Sequence, residues 1–179
     1  MNDQEKYAKA LAFATKKHNG QFRVGGAAYI THPIAVAEIV RASGKNIDYQ
    51  ITALFHDLLE DTDATEDEIL AIGGAEVLKA VKLLTKQKGY VMKDYVAAIR
   101  QNDMALAVKA ADRLHNLRCA VVCDDEFKRR YIWETVDWYL DFSPEIPRAV
   151  KELAHTLDKP IAELPFLYDP IETWKINKI

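Results

Sequence analysis

The chain has 179 residues, 49% of them hydrophobic and 28% charged, with a formal net charge of −3. That length suits one domain with a sizeable core, and the mild acidity excludes a global basic field for DNA or RNA. No apolar run approaches the length that crosses a membrane, and the polar start Met1-Asn2-Asp3-Gln4-Glu5-Lys6 lacks the basic and apolar regions of a signal peptide. The expectation is a cytoplasmic protein with no nucleic-acid and no membrane partner; composition leaves the oligomeric state open. The two cysteines, Cys119 and Cys123, make a poor zinc site by themselves and read as a free, partly buried pair.

Glycine is scarce, at 7 residues, and no alternating strand pattern occurs, so helices are expected nearly throughout. The first runs from about Asp3 to His18 with Tyr7, Ala10, Leu11 and Ala14 inward, and Asn19-Gly20 stops it. A loop over 21–31 contains Gly25-Gly26. Pro33 suits the first position of a second helix, Ile34 to about Ala42, which Gly44 ends. Asp48 can cap a third, carrying the run His56-Asp57-Leu58-Leu59-Glu60-Asp61. Thr65-Glu66-Asp67-Glu68 has the form of a capping box for a short fourth helix closed by Gly73-Gly74.

A fifth helix spans about Ala75 to Thr85, a polar loop covers Lys86 to Gly89, and a sixth covers about Val91 to Gln101. Asp103 can cap a long seventh through Ala107, Val108, Ala111, Leu114 and Leu117. The eighth, near Glu126 to Phe142, holds Phe127, Tyr131, Trp133, Trp138 and Tyr139, which read as core or lid packing rather than a base-stacking platform. Pro144 and Pro147 break the chain before a last helix, about Arg148 to Leu157, and the tail beyond Pro160 has no assigned element. The expected architecture is all-α: one domain over residues 1–160 and a tail over 161–179.

The run His56 to Asp61 is the most informative stretch. On a continuous helix, positions i, i+1, i+4 and i+5 share one face, so His56, Asp57, Glu60 and Asp61 are expected to project together. Carboxylates crowded beside an imidazole repel one another unless a cation neutralises them. A solvated helix end would also account for these acids taken alone. Further ligands can come from His32, at the mouth of the second helix, and from Asp112, a carboxylate in a largely apolar helix whose burial is costly without a partner. Lys109 and Asn116 lie about one turn to either side of Asp112. Two imidazoles and two carboxylates suit Mn²⁺, Fe²⁺, Co²⁺ or Zn²⁺ better than Ca²⁺. A water on such an ion is acidified and can act as a nucleophile near neutral pH.

The order His…His-Asp…Asp on a helical chain resembles the HD superfamily of metal-dependent phosphohydrolases. The segments His18-Asn19-Gly20-Gln21-Phe22-Arg23 and Tyr29-Ile30-Thr31-His32-Pro33 are similar to the opening of the hydrolase domain of RelA/SpoT-type alarmone enzymes. His56-Asp57-Leu58-Leu59-Glu60-Asp61-Thr62 resembles that family's HD and ED motifs, and the segment from Lys109 to Arg118 its third signature. Thr85-Lys86 and Glu134-Thr135 fall where the family has related pairs. The resemblance implies an HD-type helical bundle, a stand-alone small hydrolase, with His32, His56, Asp57 and Asp112 holding Mn²⁺ or another divalent transition metal. It implies that Glu60 and Asp61 position or deprotonate the attacking water, and that Arg23, Asn116 and Lys109 contact a nucleotide substrate.

The implied reaction is hydrolysis of the 3′-diphosphate of (p)ppGpp to pyrophosphate and GDP or GTP. One departure stands out: where the family carries Arg-Lys, this chain has Arg23-Val24, and valine supplies neither charge nor hydrogen bond. That supports an alternative, the same chemistry on a different phosphorylated nucleotide. A second alternative, a non-catalytic nucleotide-binding HD module, predicts loss of a ligand or of the carboxylate pair, and all six positions are kept. His18 reads as a supporting polar group rather than a ligand, His115 as packing or bonded to backbone, and His155 as surface.

Overall fold

Every long element of the computed structural model, which describes residues 2–174, is a helix. The chain divides into two compact units, Met1–Asp112 and Arg113–Ile179, with the division falling inside one helix.

The first unit contains α1 (Asp3–Lys17), α2 (Thr31–Ala42), α3 (Ile47–Phe55), α4 (Leu58–Asp61), α5 (Glu66–Gly73), α6 (Ala75–Leu84), α7 (Met92–Arg100) and most of α8 (Asp103–Cys119). Its centre is α3, whose Ile51, Thr52, Ala53, Leu54 and Phe55 are all fully buried. Five successive buried residues reach round the whole circumference of a helix, so it must be surrounded, and α3 packs against α1, α2, α5 and α6. Full burial of a large side chain such as Phe55 or Leu54 contributes about 1.5–3 kcal/mol. Phe13 of α1 meets the Phe55 ring edge-on, with centroids 5.6 Å apart.

Several starts differ from the sequence expectation by a residue or two. Asn46, not Asp48, caps α3, accepting from the Asp48 and Tyr49 amides. Asn102, not Asp103, caps α8, accepting from the Ala105 amide at 2.8 Å. Helix α2 begins at Thr31, before Pro33, which the first turn tolerates because its amide would have no intrahelical partner. The Thr65–Glu68 capping box is formed in both directions, and Gly74 takes a φ of 90°, which ends α5 and starts α6.

The largest correction concerns the His56 to Asp61 run, which is not one helix. α3 ends at Phe55, His56 and Asp57 form a turn, and α4 is a separate single turn. The Ala53 carbonyl, which a continuing helix would offer to the Asp57 amide, accepts from Nδ1 of His56 at 2.7 Å. A side chain competing for a backbone acceptor in this way interrupts a helix.

The second unit holds the end of α8, a 3₁₀ turn over Ala120–Val122, α9 (Asp125–Trp138) and α10 (Ile146–Ala154). Asp124 caps α9, and Pro147 lies in the first turn of α10, so both helices start earlier than expected. Of the aromatic residues on and just after α9, Tyr139 is buried and Tyr131 half-buried, whereas Trp133 is exposed rather than packed. Tyr131 and Tyr139 sandwich the buried Arg113 guanidinium at 4.2 Å from each ring centroid, and Glu134 binds it at 2.6 Å. The tail is not featureless: 3₁₀ turns span Pro165–Tyr168 and Ile171–Thr173, and the first packs on α10. His155 is exposed, as expected. His115 faces a thiol, with Nε2 at 3.6 Å from Sγ of Cys119, and both cysteines are free and half-buried.

Candidate metal centre

Three segments of the first unit converge on one point. The N-terminus of α2 delivers His32, the turn after α3 delivers His56 and Asp57, and α8 delivers Asp112. Nε2 of His32 lies 3.1 Å from Oδ1 of Asp112 and 3.8 Å from Oδ2 of Asp57. Nε2 of His56 lies 3.0 Å from Oδ2 of Asp57 and 3.7 Å from Oδ1 of Asp112. Nitrogen and oxygen alternate around the group. Donors about 2.1 Å from one ion stand about 3.0 Å apart across a right angle and about 3.4 Å apart in a tetrahedron. Two of the observed separations, 3.0 and 3.1 Å, fall in that range, and the other two, 3.7 and 3.8 Å, lie a few tenths of an ångström beyond it.

The donor atoms of His32, His56 and Asp57 all lie within 4.8 Å of one another. Asp112 is outside that mutually close trio, yet it reaches both imidazoles, which makes it a fourth member facing the histidines.

The chemistry of the set fits a divalent cation. Nε2 of His56 is buried and 3.0 Å from a carboxylate oxygen, but makes no hydrogen bond of acceptable geometry. An orphaned buried nitrogen among carboxylates needs an explanation, and coordination supplies one. The Nδ1 bond to the Ala53 carbonyl fixes the ring so that Nε2 points at the carboxylates.

Electrostatics reinforce this picture. Burial opposes the charged form of His56, but Asp57 and Asp112 outweigh it and raise its pKa to about 10. Burial likewise opposes ionised Asp57, and the His56 charge overcomes it, lowering the carboxyl to about 2. Asp112 is pulled well below the usual range, against its own burial, by Lys109 and both imidazoles. Lys109 Nζ holds Oδ2 of Asp112 at 2.9 Å. Burial keeps His32 below the ordinary imidazole range despite Asp112. Without a cation, a proton on His56 takes its electrostatic place.

Glu60 and Asp61, both on α4, have different surroundings. Oε2 of Glu60 accepts from the Lys86 backbone amide at 2.9 Å, which ties α4 to the loop after α6. Asp61 is held above the ordinary carboxyl range by desolvation and by the charges of Asp57 and Glu60. Lys86 extends its ammonium over the Tyr90 and Tyr95 rings, at 5.2 and 5.6 Å from their centroids, and Lys109 also faces Tyr95, at 6.0 Å. Positive charge is thus local, as a chain of net negative charge needs for an anionic ligand.

The structure therefore brings together His32, His56, Asp57 and Asp112, with Lys109 on Asp112 and Asp61 near enough to Asp57 to feel its charge, while the exposed Glu60 side chain is bonded to the Lys86 amide. Arg23 lies on the loop after α1, its amide bonded to the Ala27 carbonyl at 2.8 Å, and its neighbour Val24 is 80% exposed. Asn116 belongs to the second unit. Sequence reasoning missed Tyr29 as a site residue. Its hydroxyl donates to Oδ2 of Asp57 at 2.6 Å and approaches Oδ2 of Asp61 at 3.4 Å. The signal was its place three residues before His32 in the same motif.

Comparison with known proteins gives the family and the fold. Residues 10–143 match the family model of the HD domain. The chain is 34% identical to a GTP pyrophosphokinase, rsh, of Brucella suis biovar 1 (strain 1330), over 93% of this chain and 23% of that protein. It is 34% identical to a guanosine-3′,5′-bis(diphosphate) 3′-pyrophosphohydrolase of Haemophilus influenzae, over 70% of this chain and 20% of that protein. The chain thus spans about a quarter or less of the length of these relatives. Its fold is similar to that of a metazoan SpoT ortholog, described as hydrolysing ppGpp and acting in starvation responses. The TM-score is 0.60 at 23% identity, covering 92% of both chains. Fold, motif order and family match agree, and the chain belongs to the HD domain family.

Proposed function

We propose that this chain is a metal-dependent (p)ppGpp 3′-pyrophosphohydrolase that releases pyrophosphate and leaves GDP or GTP. The observation that carries the reading is the alternating cluster of His32, His56, Asp57 and Asp112, with neighbouring donors 3.0–3.8 Å apart. The names of the Haemophilus relative and of the SpoT ortholog support the substrate class.

His32, His56, Asp57 and Asp112 would hold a divalent cation, with Mn²⁺ the favoured ion for this mixed donor set. Such a cation supplies Lewis-acid polarisation of a phosphoryl oxygen and acidification of water near neutral pH. The remaining work falls to the chain's own groups. Glu60 is the proton acceptor: the Lys86 amide fixes one carboxylate oxygen and leaves the other for a water. Asp61, with its raised proton affinity, assists and orients. Tyr29 keeps Asp57 in place. Lys109 and Lys86 provide positive charge for the diphosphate, with Arg23 as a further nucleotide contact.

The test is product identity. Phosphorus NMR of a ppGpp reaction with Mn²⁺ should show pyrophosphate as the phosphorus-containing product beside GDP. Orthophosphate accumulating stepwise would instead mark a phosphomonoesterase and defeat the assignment.

A second reading, the same hydrolysis on a different phosphorylated nucleotide, draws on Val24, which occupies the family's lysine position and is exposed. It predicts faster turnover of another member of a nucleotide panel than of ppGpp.

A further inference from the structure

His18 has no part in the chemistry above, yet it is 2% exposed and its hydrogen bonding can be read atom by atom. The backbone carbonyl of Asp61 can only accept, so its 2.7 Å partner on Gln21 is the amide Nε2. Oε1 of Gln21, an acceptor, therefore faces Nδ1 of His18 at 2.7 Å, and Nδ1 must carry a hydrogen. The donors run one way, from His18 to Gln21 to Asp61. In the neutral ring this leaves Nε2 as a buried lone pair, and it has no hydrogen-bond partner. Leaving a buried acceptor unsatisfied is costly, so the bond through Nδ1 has to matter.

That bond holds α4. A single helical turn is not self-sustaining, and its last carbonyls lack partners further along the chain. α4 is such a turn, Leu58–Asp61, and it carries both Glu60 and Asp61. Gln21 fills the terminal carbonyl. The same His18 ring lies against Tyr29, with centroids 4.8 Å apart. Tyr29 in turn donates to Asp57 and approaches the Asp61 side chain. His18, as the C-cap of α1, is anchored by its backbone amide to the Ala14 carbonyl at 3.0 Å.

We propose that His18 is a positioning residue. Through Gln21 it fixes the carbonyl end of α4, and through Tyr29 it fixes the carboxylates of Asp57 and Asp61, so that Glu60 and Asp61 are presented for proton transfer. The catalytic part of this claim rests on the phosphohydrolase reading; the mechanical part does not.

The experiment compares His18→Asn, His18→Phe and Gln21→Met with the unmodified chain. Asparagine places its amide nitrogen where Nδ1 sits, whereas phenylalanine keeps only the ring. Long-range proton–nitrogen correlation should show His18 of the unmodified chain as the Nδ1–H tautomer. Amide hydrogen exchange at Asp61 and Thr62 should speed up about tenfold in His18→Phe and Gln21→Met but not in His18→Asn. Turnover should follow the same order, with kcat down about tenfold or more while KM and bound Mn²⁺ stay within about twofold. If His18→Phe fails to fold, Gln21→Met, which leaves His18 in place, carries the comparison. An Nε2–H tautomer, unchanged exchange in Gln21→Met, or equal losses in His18→Asn and Gln21→Met would overturn the proposal. A chain that turns over no ppGpp, with tautomer and exchange as expected, would defeat the substrate assignment and leave the strut standing.

Discussion

Nε2 of His32 and Oδ1 of Asp112 meet at 3.1 Å, while the other Asp112 oxygen is held by Lys109 at 2.9 Å. Residues 80 positions apart in the chain thus close the candidate metal centre, and one carboxylate faces an imidazole and an ammonium at once. Asp112→Ala removes the shared partner of both. It should abolish Mn²⁺ binding and lower the stability of the metal-free protein by about 3 kcal/mol, the usual scale for breaking a buried ion pair from one side. Urea unfolding with a metal assay checks both. Retention of stoichiometric metal would show that Asp112 only partners Lys109.

Tyr29→Phe keeps the ring against His18 and deletes the 2.6 Å hydrogen bond to Asp57. Groups that orient a metal-binding carboxylate are commonly worth about 10–100-fold in metal affinity. A loss on that scale is expected in a Mn²⁺ titration, with helical content unchanged. Affinity equal to that of the unmodified chain would remove Tyr29 from the site.

Much of this site was legible in the sequence because its residues stand in three compact motifs, each on or beside one helix. Periodicity and capping residues placed the helices themselves, and the Thr65 capping box formed as read. The break after Phe55 was not legible. It depends on the His56 ring taking the Ala53 carbonyl, and hydrophobic periodicity runs on unbroken through Leu58 and Leu59. Tyr29 escaped notice because a tyrosine beside a loop is ordinary until its hydroxyl is seen on Asp57.

Metal-free protein should show its own pH dependence. His56 is raised from 6.5 to about 10, so its contribution to stability is full below 6.5 and is lost as pH climbs toward 10. Asp57 is lowered from 3.8 to about 2, so its contribution is present above 3.8 and lost as pH falls toward 2. These are two faces of one ion pair and are not additive. Metal binding must displace the His56 proton and therefore strengthens with rising pH. The gain in Tm on adding Mn²⁺ to EDTA-stripped protein should be larger at about pH 8 than at about pH 6. A gain that shrinks with pH would show that His56 is not a ligand.

Glu60→Ala should retain Mn²⁺ and fold normally, because Glu60 is exposed and, among the described residues, the partner of its carboxylate is the Lys86 backbone amide. Turnover should fall by about 10²–10⁴-fold if Glu60 takes the proton. Full activity with metal bound would shift that part to Asp61.

If the cluster holds the metal of a ppGpp hydrolase, hydrolysis must depend on that metal. The most direct test is the rate of pyrophosphate release from ppGpp by the purified chain with Mn²⁺, after EDTA treatment, and after Mn²⁺ is restored. EDTA should abolish release and Mn²⁺ should restore it, with about one ion bound per chain. Release that survives complete metal removal would contradict the assignment, as would no release from a chain shown to carry its ion.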